Sequence, residues 1–198
     1  SHKFRLKVEE GIEAFNKMKE ICKILEARVL LIQTPASFRT DKTKDAHEFF
    51  HKVERENLVL VWETRGASWE ENAAREKLSD LLSEVDVTHV TDPLRLMPAY
   101  VGNVAYFRLH GLGERMYYYQ YTDAELAELH KLIKPFESKG KEVFVFFNNL
   151  SMFEDGLRFI AYLKKGKFPR LTGAVGLDSV RKVMERTRFP MVKSMLLK

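Results

Sequence analysis

The residues able to do chemistry in this chain recur at one kind of place, the end of a short apolar run. In chain order these endings are Gln33-Thr-Pro35, Glu63-Thr-Arg65, Asp92-Pro93, Arg108-Leu-His110-Gly111 and Asn148-Asn149. Burying such groups costs free energy unless they are paired, so an apolar strand gains nothing by ending in them. Their repetition points to a polar pocket. Glu63 and Asp92 could form an acid/base pair if their surroundings separate their pKa values, with His110 as proton carrier. Glu63, Asp92 and His110 could instead ligate a divalent metal, since oxygen and imidazole suit Mg, Mn or Zn. Arg65 and Arg108 could clamp a phosphate or carboxylate, or Arg108 could simply neutralise a buried Glu63. Gln33, Tyr119, Asn148 and Asn149 complete the candidate substrate contacts. The sequence alone leaves these chemistries open.

Three further motifs compete for attention. His47-Glu-Phe-Phe-His51 fits the H-E-x-x-H pattern of zinc hydrolases. The apolar stripe of the same helix (Ala46, Phe49, Phe50, Val53) turns both histidines and Glu48 away from the core, however, which predicts a solvated face. Met116-Tyr-Tyr-Tyr-Gln-Tyr121 offers flat rings that could close over a sugar or base, or pack a loop against the sheet. Residues 164–198 hold ten Lys/Arg against two acidic residues, a local charge of +8 on a chain of net +5. That tail could bind nucleic acid through phosphates. A solvated face is the commoner reading for such helices, which abound in heat-stable proteins.

The elements that must position these groups are legible as alternation. Val29–Gln33, Leu58–Trp62, Val87–Thr91, Val104–Arg108 and Val143–Phe147 read as strands, and their unbroken apolar character predicts cover on both faces. Amphipathic stripes lie between most of them. The first runs Val8, Ile12, Phe15, Met18, Cys22, Leu25, and Cys22 on it reads as core. Capping-box patterns at Ser68…Glu71, Thr122…Glu125 and Ser151…Glu154 predict helix starts. The loops leaving strand C-termini are long and those entering strands short, the asymmetry of α/β folds that carry their sites at the strand C-terminal face. Strand–helix alternation predicts a parallel sheet with right-handed crossovers. From residue 166 onward the pattern changes to a small basic helical appendix.

At these strand ends the chain resembles the domain of unknown function 72 family, also called YecE-like. The segments that carry the likeness are Leu31–Pro35, Val61–Arg65, Asp92-Pro93, Tyr106–Gly111, Tyr119–Leu126 and Val145–Asn149, in matching order and spacing. The resemblance implies a TIM-type (β/α) barrel with no established activity. Family members begin with three strands whose motifs are absent here, and Ser1-His2 resembles the pair that follows the third. The expectation is therefore an incomplete barrel over residues 1–165, equivalent to strands four to eight. Either an N-terminal part of the protein precedes this chain, the favoured reading, or copies self-associate across the open edges.

Composition narrows the function classes. At 45% hydrophobic and 31% charged residues the chain is neither disordered nor low-complexity. A single cysteine excludes a disulfide scaffold and cysteine-built metal clusters. No apolar run or leader-like segment marks a membrane or secretory route, which predicts a cytoplasmic protein. The reading is an enzyme for a small polar or anionic substrate, the alternative being nucleic-acid association through residues 164–198.

Overall fold

The computed structural model describes residues 8–115 and 117–169; the appendix beyond residue 169 and the Ser1-His2 pair lie outside them. In chain order the elements are α1 (Val8–Ile24), β1 (Val29–Gln33), α2 (Thr43–Lys52), β2 (Val59–Glu63), α3 (Asn72–Glu84), β3 (Thr88–His89), β4 (Val104–Leu109), α4 (Asp123–Ser138), β5 (Glu142–Phe147) and α5 (Met152–Lys165). The chain divides into two compact units, residues 1–155 and 156–198. All five strands belong to the first. Within the second, Tyr162 stacks on Phe168 with ring centroids 4.3 Å apart.

All strand pairings are parallel. β1, β2 and β3 form one sheet and β4 and β5 another. A single parallel bridge between Thr91 and Phe107 joins the two, so the strands follow one another in chain order. Among the described residues the strands do not close on themselves: β1 and β5 each pair along one side only. This explains a departure from the expected two-sided burial. β2 and β4 are largely buried, whereas no residue of β5 is, and Phe146 is 43% exposed. β3 is shorter than its apolar run, but the Val90 amide still donates to the Trp62 carbonyl and keeps the chain in line as far as the Thr91 bridge.

The core explains why these residues take these places. Ala46, Phe49 and Phe50 of α2, and Leu78, Leu81 and Leu82 of α3, are spaced to fall on one helix face each, and all are buried against β1 and β2. Trp62 sits at the centre, ringed by Phe38, Phe50 and Trp69 at 5.4–6.1 Å between centroids. Its indole N–H donates to Thr34 Oγ1, satisfying a polar atom that burial would otherwise orphan. Cys22 is buried as the stripe predicts.

The capping boxes divide. At Thr122 the full reciprocal pattern is present: the Glu125 amide donates to the Thr122 hydroxyl and the Thr122 amide to the Glu125 carboxylate. At Ser68 it is not: the chain makes a short 3-10 turn over Ala67–Trp69 and α3 starts only at Asn72. Burial of Trp69, whose indole N–H reaches the Phe38 carbonyl, decides the local geometry in place of the cap. No helix among the described residues is long and apolar enough to cross a membrane.

Leu60 is fully buried in β2. Leu60→Ala should lower unfolding stability by about 2–5 kcal/mol, the range for a leucine deletion in a core that cannot collapse. Equilibrium urea denaturation followed by circular dichroism would read this as a lower midpoint with unchanged slope.

Candidate functional site

The parallel register aligns the strand ends. Gln33 pairs with Glu63 across β1 and β2, and the Arg108 amide donates to the Thr91 carbonyl, setting the end of β4 beside Asp92. The C-terminal ends of β2, β3 and β4 thereby surround a cavity of about 130 Å³ whose lining includes Glu63, Thr64, His89, Asp92, Arg95, Arg108 and His110. Four of the sequence-derived candidates, Glu63, Asp92, Arg108 and His110, meet there.

Glu63 is the centre of charge. It is buried, and its carboxylate takes Arg108 Nη1 on one oxygen and Arg65 Nε and Nη2, each at 3.2 Å, on the other. His110 Nε2 lies 3.6 Å from the same oxygen and 3.4 Å from Arg65 Nη2. The His110 Nδ1 faces the Arg108 carbonyl at 3.1 Å, so the imidazole carries its proton on Nδ1 and offers a lone pair at Nε2. Burial lowers the His110 pKa; Glu63 opposes the shift, and Arg108 and Arg65 reinforce it. At neutral pH the ring is therefore a neutral acceptor.

Asp92 is held differently. One oxygen accepts the Leu94 amide at 3.1 Å, and the Tyr121 hydroxyl stands 3.5 Å from the other. Burial raises its pKa; amides of Leu94 and His110, Arg95 and the Tyr121 hydroxyl offset only part of that. The two carboxyls thus occupy contrasting settings, Glu63 clasped by guanidinium groups and Asp92 desolvated. Gly111 makes the corner possible. Its φ of +94° is poorly tolerated by a side chain, and a Cβ there would stand 2.5 Å from that of Tyr119. Its amide donates to the Tyr121 hydroxyl and its carbonyl accepts from Arg95.

The other candidates stand elsewhere. Gln33 ends β1 and Asn148 directly follows β5, the two flanking strands. Asn149 is buried and donates to the Tyr119 carbonyl and to Asp155 at 2.7 Å each, while the Tyr119 hydroxyl donates to Glu125. These bonds tie the tyrosine loop to the starts of α4 and α5, and the tyrosines are not among the residues lining the cavity. The metal alternative at Glu63, Asp92 and His110 meets a physical obstacle: the carboxylate that would bind a cation is already bracketed by two. Among the described residues these three do not form a cluster with ligand atoms within 4.8 Å of one another.

Two lining residues escape a sequence reading. Arg95 follows the Asp92-Pro93 break with no apolar pattern to place it. His89 sits inside an apolar run, where a histidine reads as packing. It is buried, accepts the Ala99 amide on Nδ1 and contacts Thr64 Oγ1 through Nε2 at 3.0 Å. Burial, reinforced by Arg75, depresses its pKa to about 3.

A histidine with a depressed folded pKa binds a proton more readily when unfolded, so its stabilisation is complete above the unfolded value of about 6.5 and is lost as pH falls towards 3. His110 acts in the same direction. Asp92 acts oppositely, its contribution being present at low pH and lost as pH rises through its raised pKa. Stability should therefore decline on acidification below about pH 6.5. His89→Asn, which keeps an acceptor for Ala99, should flatten that decline; denaturation midpoints measured at successive pH values between 7 and 4 would check it.

Comparison with known proteins accords with this architecture. A crystal structure of a DUF72 family protein from Enterococcus faecalis, at 2.52 Å, superposes with a TM-score of 0.61 at 22% identity, covering 74% of this chain and 66% of that one. A second, at 3.10 Å, gives 0.58 at 20% identity, covering 74% and 63%. Both structures are of the same protein; this chain thus spans slightly less than two thirds of that protein's length, and at such identity the likeness speaks for the fold alone. No curated protein matches. The family model described as "Protein of unknown function DUF72" matches residues 1–167, and the chain belongs to that family.

Proposed function

We propose that the cavity at the ends of β2, β3 and β4 is an acid–base site for a small polar or anionic substrate. The observation that carries this reading is the meeting of a neutral, accepting His110 with a desolvated Asp92 around one cavity of about 130 Å³. That volume suits a molecule of a few heavy atoms or the reactive end of a larger one. His110 Nε2 would take a proton from the substrate, and Asp92, protonated to higher pH than a solvated carboxyl, would return one to the departing group. Arg65, partly exposed beside His110, and Arg95 at the rim would hold a negative substrate group. Glu63 would act as a positioning residue, fixing Arg108 and keeping the guanidinium of Arg65 beside the imidazole.

The same reading favours the (β/α)-barrel type. Its support is the chain order of the parallel strands, the helices between them, and a pocket at the strand C-terminal ends, where barrel enzymes place their chemistry. Apolar residues left exposed along α1 (Met18, Ile21, Ile24) and near β5 (Phe146, Leu150, Phe153) would be covered by further barrel elements or by a second copy.

A calorimetric screen of inorganic phosphate, small sugar phosphates and short dicarboxylates should find at least one ligand whose affinity falls about 10-fold or more in Arg65→Ala and in Asp92→Asn, the loss of one charge-assisted contact being worth about 1.5–3 kcal/mol. Circular dichroism would establish that both variants remain folded. Binding that survives both substitutions, or no binding by any member of the set, would overturn the proposal.

A further inference from the structure

The H-E-x-x-H segment has a partner that the sequence does not reveal. His47 and His51 lie one turn apart on α2, and the last residue of α3, Glu84, reaches them from the neighbouring helix. His47 Nε2 and His51 Nε2 are 3.1 Å apart, and Glu84 Oε1 lies 3.0 Å from the first and 3.1 Å from the second. The three atoms thus form a nearly equilateral triangle. Among the described residues this is the one group of three metal-ligating side chains whose donor atoms all lie within 4.8 Å of one another.

Hydrogen bonding alone does not account for the triangle. Two imidazole Nε2 atoms carry at most two protons between them, and each N–H points along one direction in its ring plane. If both donate to Glu84, the nitrogens face each other without a bond; if one is bare, its lone pair faces an oxygen or the other ring. No protonation state makes all three edges good hydrogen bonds. A cation above the triangle uses all three lone pairs at once. With metal–donor distances of about 2.1 Å, it would stand roughly 1.1 Å above the plane with donor–metal–donor angles of roughly 94°. That is one face of an octahedron, slightly compressed for a tetrahedron.

We propose that His47, His51 and Glu84 bind a divalent first-row transition metal ion that bridges α2 and α3. Two imidazoles and one carboxylate suit Zn²⁺, Co²⁺ or Ni²⁺, and they disfavour Mg²⁺ and Ca²⁺, which prefer all-oxygen sites. The remaining coordination positions open on a depression of about 290 Å³ lined by Thr43, Lys44, His47, Leu81 and Glu84. Water or an anion could complete the shell there, the anion favoured by Lys44. The motif's own glutamate takes no part: Glu48 is tied to Lys52 at 2.7 Å. The site therefore lacks the general base that the same motif supplies in zinc hydrolases, and its first effect is to join two helices.

The test uses tag-free protein stripped with a chelator and dialysed. Titration with Zn²⁺ in a calorimeter should show one ion per chain. Co²⁺ should develop the visible absorption of a nitrogen- and oxygen-ligated ion. His51→Ala and Glu84→Gln, at exposed positions where folding is not at risk, should each weaken binding by at least about 10-fold, while Glu48→Gln should leave it unchanged. Zn²⁺ at about 100 times its dissociation constant should raise the melting temperature by roughly 5–10 °C, an increase that Mg²⁺ does not produce and that the two ligand variants lose. No saturable Zn²⁺ or Co²⁺ binding up to about 1 mM, or binding that persists in both ligand variants, would overturn the assignment.

Discussion

A buried carboxylate at the end of β2 is the constraint to which the strand ends answer. Glu63 is 5% exposed, and desolvating a carboxylate costs several kcal/mol unless cations and donors replace its water. The replacement comes from Arg65 two residues on, from Arg108 on β4 and from His110 just past its end. Those last two can arrive only if β4 runs parallel to β2 with β3 between them, in the register that the Thr91 bridge and the Arg108 amide enforce. Charge compensation and strand order therefore depend on each other. Removing both arginines would leave an uncompensated buried charge, whereas a slip in the β3–β4 register would separate Arg108 from its partner.

The compensation also decides what chemistry remains. With both oxygens of Glu63 engaged by guanidinium groups, that carboxylate is a poor ligand for a metal and a poor nucleophile. In the proposed acid–base reading, proton transfer would fall to the two groups that burial perturbs, His110 and Asp92. Their shifts have opposite signs but one cause, since desolvation disfavours whichever form is ionised. The outcome is an imidazole that stays neutral to lower pH, and a carboxyl that keeps its proton to higher pH, than either would in water.

How much of this could be read from sequence follows from the range of the interaction concerned. Strands, helix faces and the Thr122 cap rest on spacing within about two turns, and they were legible. So was the gathering of Glu63, Asp92, Arg108 and His110, because in a parallel α/β fold every strand C-terminus lies at one edge. The Ser68 pattern failed because Trp69 has a more favourable place in the core than a cap would give the turn. Tyr119 and Asn149 looked like ligand contacts by residue type, yet they bond to each other's segment and to Glu125 and Asp155, pairings that sequence does not encode locally. Glu84 was invisible for the same reason. It stands 33 residues from His51, and only the packing of α2 beside α3 brings it near.

The placement of the two polar centres has a further consequence. In a βα unit each helix runs back, so helix C-termini lie at the end of the sheet opposite the strand C-termini. His51 is in the last turn of α2 and Glu84 closes α3, whereas Glu63, Asp92 and His110 stand at or just past strand C-termini. The histidine–glutamate triangle thus belongs to the face that in such folds serves stability, and the Glu63 cluster to the face that serves chemistry. They share no residue and no loop, and the core around Trp62, Leu78 and Phe50 lies between them. Occupation of the triangle would tighten the contact between α2 and α3 without adding charge to the pocket, so stability could respond to metal while the surroundings of Glu63, Asp92 and His110 stay as they are.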